Sequence, residues 1–403
     1  MSDKVAAIDF GSSKIRCLVA KRKEDSFEIV AKSIIDSAGF NNGSIVNFSE
    51  ASKSLEKILS NVETSINEKI SNLLFNIENE SIFSCNLSLN LNKKDTEIKQ
   101  KKILHELIEK SFYEIKKFNL DKNLLHLFYY VLNKKNLDPK DNLLLASFFY
   151  VQINAIISSN NCIKDFLELK KENYKKIKFI NSSVALITYF LKEEKKLDEN
   201  IIIIDIGKNK TNISIFLNNF LITQLFIPVG SNHLTNDLTK VLKIDSNLAE
   251  KIKTNYIIDL DKTNNKVEKF IDKKFFEKDN TRKISYDLVD AILVLRIEEL
   301  IKLIYMEIKY LKLSIFKTKF YLIGGGSNLK GIECIFKKYF GKNVFKLINT
   351  LRDESHLIDR LSCDYIIPYG LLKNYFDILP FEVSLQNIEK TNFLYKVFNF
   401  FSK

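Results

Sequence analysis

Apolar runs of strand character end abruptly in a glycine turn at three distant points of the chain. The first, Val5-Ala6-Ala7-Ile8-Asp9-Phe10, stops at Gly11-Ser12-Ser13, and an extended pattern resumes over 15–20, so a hairpin is predicted. The second repeats that plan. Ile201-Ile202-Ile203-Ile204 is apolar on both faces, as a strand covered on both sides should be, then come Asp205, Ile206 and Gly207, and 211–217 and 220–228 read as further strands. In the third, Tyr321-Leu322-Ile323 runs straight into Gly324-Gly325-Gly326-Ser327. Such strand-to-turn junctions are where an α/β sheet presents backbone amides to an anionic ligand. Two of them share an apolar-Asp-apolar-Gly order in different halves of the chain, which predicts two similar domains closing on one phosphate ligand.

Between these points, apolar residues recur at helical spacing over 50–70, 182–195, 286–312 and 329–340, and a shorter helical region holds Ala249-Glu250-Lys251-Ile252-Lys253. Residues 37–47 read as a double-glycine turn entering a short strand. From 72 to 176 the chain becomes rich in Asn, Lys and Ser with ambiguous periodicity; 124–132 and 143–157 read as strands joined by a turn at Leu137-Asp138-Pro139, a candidate inserted domain. The globular pattern closes near 368–371, and 372–391 reads as a linker. Projected at about 100° per residue, the last twelve positions place Phe400, Phe393, Val397, Phe401, Leu394 and Phe398 in one arc, with Ser402, Tyr395, Asn399, Lys403 and Lys396 filling the rest. That segment is too short to span a bilayer and is shaped to lie in its surface, although a terminal helix docked on the protein's own core has the same shape.

Composition changes this picture only by exclusion. The 403 residues exceed one compact core and predict two to four domains, with 45% hydrophobic residues to fill them. The formal charge of +12 raises nucleic acid as a partner, but the lysines are spread along the chain without a basic stripe or interleaved aromatics, so no nucleic-acid partner is expected. Cys17, Cys85, Cys162, Cys334 and Cys363 are odd in number and widely spaced, which indicates neither a disulfide framework nor a zinc site. His105, His126, His233 and His356 show no ligand spacing. The first residues lack the pattern of a signal peptide, and no run reaches the ~18 apolar residues of a membrane span, so a cytosolic location is expected.

The Asp9 hairpin, the Asp205 strand and turn, and the Gly324-Gly325-Gly326 loop resemble the first phosphate, second phosphate and adenosine motifs of the superfamily of actin, heat-shock chaperone ATPases and sugar kinases. Within it the chain resembles the FtsA family of bacterial cell-division proteins. Asp9-Phe10-Gly11-Ser12-Ser13-Lys14 is similar to that family's D-I-G-T/S-S-K, and Gly39-Phe40-Asn41-Asn42-Gly43-Ser44-Ile45-Val46-Asn47 to its G-x-x-x-G-x-I-x-N/D. Leu125-His126-Leu127-Phe128 with Leu137-Asp138-Pro139 looks like part of the family's inserted subdomain 1C, which replaces actin's 1B; Ile227-Pro228-Val229-Gly230 and 249–253 match as well. The resemblance implies an α/β, actin-like (ribonuclease-H-like) two-domain ATPase fold with an FtsA-type inserted 1C subdomain. It divides the chain into a first part of subdomain 1A (1–75), the 1C-like insertion (76–178), a second domain with a return to 1A (179–371), a linker (372–391) and an amphipathic helix (392–403). The second phosphate motif departs from the family's D-I-G-G-G-T-T-D: Lys208 and Asn209 replace two glycines and Asn212 replaces the final acid, so side chains stand where backbone would approach phosphate. The Glu-Pro that commonly opens the connecting helix is absent around Ile180-Asn181.

What the resemblance implies is ATP binding with Mg²⁺ and weak or no ATPase activity. Asp9 and Asp205 would order the metal through its waters. Gly11, Ser12, Ser13 and Lys14 would hold phosphates, with Gly207, Lys208, Thr211 and Gly230 on the second side and Lys208 or Lys210 adding positive charge. Glu250 and Lys253 would reach ribose or adenine, though their spacing alone favours an exposed ion pair, and Gly324, Gly325 and Gly326 would let the backbone pass the base. The implied function is self-association into protofilaments and tethering of FtsZ filaments, through the FtsZ C-terminal tail, to the cytoplasmic face of the inner membrane at the division septum, alongside other division proteins. Phe393, Leu394, Lys396, Val397, Phe398, Phe400, Phe401 and Lys403 would bind the membrane peripherally. An actin-like pilus-assembly adaptor resembling PilM, and a kinase or ATPase of the same superfamily, stay open as alternatives.

Overall fold

The computed structural model describes residues 4–23, 26–92, 113, 122–131, 148–169, 174, 176–193, 200–217, 220–258, 270–271, 283–311, 317–347, 362–376 and 382–384. Two units emerge: Met1–Asp198 with Phe216–Gln224 and Thr350–Lys403 form the first, and Glu199–Ile215 with Leu225–Asn349 the second.

The first unit opens with the predicted hairpin, β1 (Val5–Phe10) and β2 (Lys14–Lys23), in an antiparallel register that sets Phe10 opposite Ile15 and Asp9 opposite Arg16. Next come β3 (Ser26–Asp36), the two-residue strands β4 (Phe40–Asn41) and β5 (Ser44–Ile45), and helix α1 (Phe48–Ile66). Asn47 caps α1 by accepting from the Glu50 amide; Asn67, in the left-handed region at φ 50°, ends it at Ile66, four residues short of the predicted end. The Gly39…Gly43 motif has a packing cause, since a Cβ on Gly39 would overlap the Ala51 amide and one on Gly43 the Glu78 carbonyl.

Strand β6 (Asn72–Ile77) pairs parallel with β1, and β10 (Lys176–Asn181) pairs parallel with β6, giving the sheet order β10-β6-β1-β2-β3. Phe10 anchors the core beneath it, with ring centroids 4.7 Å from Phe40, 5.1 Å from Phe75 and 5.3 Å from Phe166. Between β6 and β10 lie β7 (Phe83–Asn92), β8 (Lys122–Val131), β9 (Phe148–Ser159) and α2 (Asn160–Glu168). The three strands form a separate antiparallel sheet. The strand expected over 143–157 is thus β9, starting at Phe148; the turn at 137–139 lies outside the described residues. Helix α3 (Ser182–Glu193) follows β10 directly.

A second sheet repeats the first. Strands β11 (Asn200–Ile206), β12 (Thr211–Leu217) and β13 (Phe220–Ile227) are followed by α4 (Ser231–Leu242), α5 (Ser246–Asn255), α6 (Tyr286–Tyr310), β14 (Thr318–Ile323), α7 (Ile332–Phe340) and β15 (Val344–Lys346). The order is β13-β12-β11-β14-β15, with β14 parallel to β11 and β15 parallel to β14. It matches the first sheet strand for strand in chain order. Ile201 to Ile204 are all fully buried, as a run apolar on both faces requires. The helix expected from 329 starts at Ile332, because Gly331 at φ 90° sits at its N-cap.

The chain returns to the first unit through a 3-10 turn (Cys363–Tyr365) and α8 (Ile366–Phe376), and β16 (Glu382–Ser384) pairs antiparallel with β8. The segment expected as a linker from 372 is therefore helical to Phe376, with Leu372, Lys373 and Asn374 buried, and Lys373 Nζ donates to the Tyr189 carbonyl at 3.3 Å. The amphipathic stretch 392–403 lies outside the described residues. Among the described residues no helix is long and apolar enough to cross a membrane.

Candidate functional site

In the first unit the carboxyl ends of the parallel strands β1, β6 and β10 bring polar side chains together, the place where open α/β sheets hold ligands. Asp9, near the end of β1, accepts a hydrogen bond from Asn76 Nδ2 at 2.9 Å. Ser182, which opens α3, lies within hydrogen-bond distance of Asn76 Oδ1 (2.8 Å) and Glu78 Oε2 (2.7 Å). Asn181 is fully buried and donates to the Ile77 carbonyl at 3.2 Å. Sequence reasoning missed Asn76, Glu78 and Ser182, because a polar residue at the end of a strand carries no pattern of its own until β6 and β10 are placed beside β1.

The turn after Asp9 is knitted to the segment that follows β3. Ser12 Oγ accepts from the Asn42 amide at 2.9 Å and the Ser13 carbonyl from the Ser37 amide at 3.0 Å. Lys14 Nζ pairs with Asp36 at 2.5 Å. That hydrogen bond and the lysine's charge hold the Asp36 carboxyl below its ordinary value. Arg16, opposite Asp9 on β2, places Nη1 3.8 Å from Asp9 Oδ2 and Nη2 3.6 Å from Asp364 Oδ1. Arg16 also escaped sequence reasoning, yet a hairpin closed at 11–13 fixes the register and puts opposite charges at 9 and 16 across from each other.

In the second unit the turn after Asp205 closes on its own hairpin: the Gly207 amide donates to the Lys210 carbonyl at 2.9 Å. Its carbonyls are capped by α4, with the Ser231 amide on Gly207 O at 2.9 Å and the Asn232 amide on Lys208 O at 2.7 Å, so the first amides of that helix are spent on the turn itself. Lys208 is exposed. Lys210 is buried, its ammonium 5.5 Å from the centroid of the Phe226 ring, so of the two lysines weighed for the phosphates it is Lys208 that faces solvent. Thr211 is fully buried and donates to the Val229 carbonyl at 2.7 Å. Gly230, the N-cap of α4, passes so close to the turn that a Cβ would lie 2.6 Å from the Lys210 amide.

The glycine triplet divides by role. Gly324 has φ 81°, and a Cβ on it would overlap the Asp205 carboxylate; one on Gly326 would overlap the Ile206 side chain. Both let the turn after β14 pack on the end of β11, where Asp205 is in register with Ile323. Gly325 alone of the three has nothing within 4 Å of its missing Cβ.

Glu250 and Lys253, expected from spacing to be an exposed ion pair, instead join a network. Lys253 Nζ is buried and donates to Glu250 Oε2 (2.7 Å), Thr235 Oγ1 (2.8 Å) and the Ser231 carbonyl (3.2 Å), and Thr235 Oγ1 donates to Glu250 Oε2 at 2.5 Å. The lysine reaches inward because α5 packs on α4. Partial burial pushes the Glu250 carboxyl up, but the hydrogen bonds from Lys253 and Thr235 and the charges of Lys253 and Lys208 outweigh it and hold the group below its ordinary value.

Comparison with known proteins agrees with this architecture. Residues 202–356 match the family model described as cell division protein FtsA. The cell division protein FtsA of Neisseria meningitidis serogroup B is 22% identical over 345 residues, covering 83% of this chain and 81% of that protein. A chain of the PilM-PilN type IV pilus biogenesis complex superposes with a TM-score of 0.64 at 14% identity, over 93% of this chain and 98% of its own. MreB5 of Spiroplasma citri bound to ADP superposes at 0.50 with 12% identity, over 93% of this chain and 99% of its own. The likeness to solved structures shows an actin-like fold, and the sequence matches show a divergent similarity to the FtsA family of cell-division proteins.

Proposed function

We propose that the chain binds ATP with Mg²⁺, self-assembles, and tethers FtsZ filaments to the cytoplasmic face of the cytoplasmic membrane at the division septum. The observation that supports this most is the repeated arrangement of Asp9 and Asp205, each near the carboxyl end of the first strand of its unit's sheet and each followed by a glycine turn closed back on its own hairpin. In this reading Asp9 and Asp205 order Mg²⁺ through water, and the turns at 11–14 and 207–208 meet phosphates. The MreB5 chain of the same fold is described as bound to ADP. Glu250 and Lys253 contact the nucleoside, and Gly325, the open member of its triplet, lets the base approach. Spent helix amides and side chains in the second turn fit nucleotide binding with little hydrolysis.

Membrane attachment rests on residues 392–403. Burying each large apolar side chain contributes roughly 1.5 to 3 kcal/mol before the cost of ordering the helix, which gives reversible attachment. Co-sedimentation of the full chain with anionic liposomes, against a chain ending at Thr391, tests the tether. The full chain should pellet and the shortened one should stay in the supernatant; equal pelleting of both removes the tether from the reading. The likeness to a PilM-PilN chain keeps a pilus adaptor as the rival, and capture by FtsZ filaments on those liposomes separates the two.

A further inference from the structure

The geometry points to β16 as a strand clip that sets the length of the membrane tether. Paired with β8, it makes the C-terminal segment leave the molecule at the edge of the inserted sheet; released, it lets that segment leave from the end of α8. This rests on the membrane reading above and adds to it a point of departure and a means of changing it. The stretch expected as one linker over 372–391 is held at two places instead. At the first, α8 runs to Phe376, whose ring stacks on Phe27 with centroids 5.2 Å apart and has the Arg22 guanidinium 5.5 Å from its centre, so the end of that helix is fixed to the first sheet. At the second, Glu382, Val383 and Ser384 pair antiparallel with Phe128, Leu127 and His126.

The inserted sheet has the order β16-β8-β9-β7, so β16 covers backbone that β8 would otherwise present as an open edge. The cover is small. β9 pairs along β8 from Lys122 to Val131, whereas β16 takes up only His126 to Phe128. So short a ladder gains few backbone hydrogen bonds against the entropy of ordering the residues that make them, and the paired and released states lie close in free energy. A modest pull on the chain therefore opens the clip. The two states differ in reach. At roughly 3.3–3.6 Å per extended residue, 385–391 span at most about 25 Å between β16 and the segment 392–403, while 377–391 span at most about 50 Å from the end of α8. Paired, the clip keeps the edge of the inserted sheet within about 25 Å of the bilayer. Released, it doubles the slack and bares the edge of β8.

Leu127 and Val383 are Cα partners, and antiparallel partners stand roughly 4.5–5.5 Å apart, within the span of a disulfide. The test uses the full chain carrying Leu127→Cys together with Val383→Cys, oxidised in solution and then added to vesicles of phosphatidylglycerol and phosphatidylcholine. Each single variant controls for the native cysteines. A further chain carries Glu382→Pro, Val383→Pro and Ser384→Pro, which removes every ladder donor of β16 and keeps the length of the segment. Oxidation of the pair should give an intramolecular bond, seen as a monomer that migrates faster in non-reducing electrophoresis. In cryo-electron micrographs of the vesicles, the oxidised chain should show no gap between bilayer and protein wider than about 25 Å, and the proline chain should spread to gaps of up to about 50 Å. A pair that forms no disulfide, or forms it only between two copies, overturns the clip. Equal gap distributions for the oxidised and proline chains overturn its role in setting the tether. Vesicles that pellet none of the chains, although the disulfide forms, remove the membrane reading and the tether lengths with it, and leave the strand pairing standing.

Discussion

At the residue scale, the glycine triplet separates what the fold demands from what a ligand would demand. Gly324 sits at φ 81° against the Asp205 carboxylate, whereas Gly325 faces open space. Gly324→Ala should therefore destabilise the protein by about 1–3 kcal/mol through strain and overlap, while Gly325→Ala should melt within a degree or two of native; thermal unfolding of the two variants checks the contrast. The Lys253 network makes a second residue-scale prediction. Lys253→Ala leaves Glu250 and Thr235 without their buried donor and should cost about 1–3 kcal/mol in urea unfolding. Glu250 itself, half exposed, has a folded-state value below its unfolded one, so its contribution is present above the unfolded value near 4.5 and is lost as pH falls through the lower folded value. Because solvent screens it, that contribution should stay below about 1 kcal/mol, and Glu250→Gln should remove it, flattening stability against pH in the acid range.

At the element scale, what was legible in the sequence was the hairpin-and-turn plan, since closely spaced strands and their turns are fixed by local alternation and glycine. The strands β11 and β12 fell where the apolar runs put them, and α1 was read correctly except at its end. Asn67 stopped it there by adopting the left-handed conformation, a device that propensity does not reveal. Asn67→Gly should leave stability within about 0.5 kcal/mol of native, and Asn67→Val should lose about 1 kcal/mol or more, as judged by denaturant midpoints. Strand β7 was missed although its signal was present: Phe83, Cys85, Leu87, Leu89 and Leu91 alternate strictly with Ser84, Asn86, Ser88 and Asn90. The Asn and Lys content of its surroundings obscured it. Asp9 and the glycine turns stood out because they carry motif spacing, whereas the spacing of Glu250 and Lys253 suggested only an exposed ion pair and not the network that buries Lys253. Asn76, Ser182 and Asp364 were not legible, because Asn76 reaches Asp9 and Ser182 reaches Asn76 only through strand order, and Asp364 reaches Arg16 through a return of the chain more than three hundred residues later.

At the scale of the whole molecule, the two sheets share one strand order, and each has an aspartate near the end of its first strand. The two turns are not equal, however. In the first, Arg16 stands seven residues after Asp9; in the second, the same offset from Asp205 falls on Asn212, and the adjoining helix amides already serve Gly207 and Lys208. In the proposed nucleotide reading, the effect of a ligand on stability should therefore depend on the first unit more than on the other. A ligand at a hundred times its dissociation constant stabilises the state that binds it by about 2.7 kcal/mol, or some 2–4 °C for units of this size. Scanning calorimetry with Mg²⁺-ADP should show that rise for the native chain, most of it lost in Asp9→Ala and on chelation of the metal. In the same reading Asp205→Asn should lose less of it, because Asn212 stands where the first turn has Arg16. If Asp205→Asn abolishes the rise and Asp9→Ala spares it, the first turn is not the principal anion site and the asymmetry runs the other way.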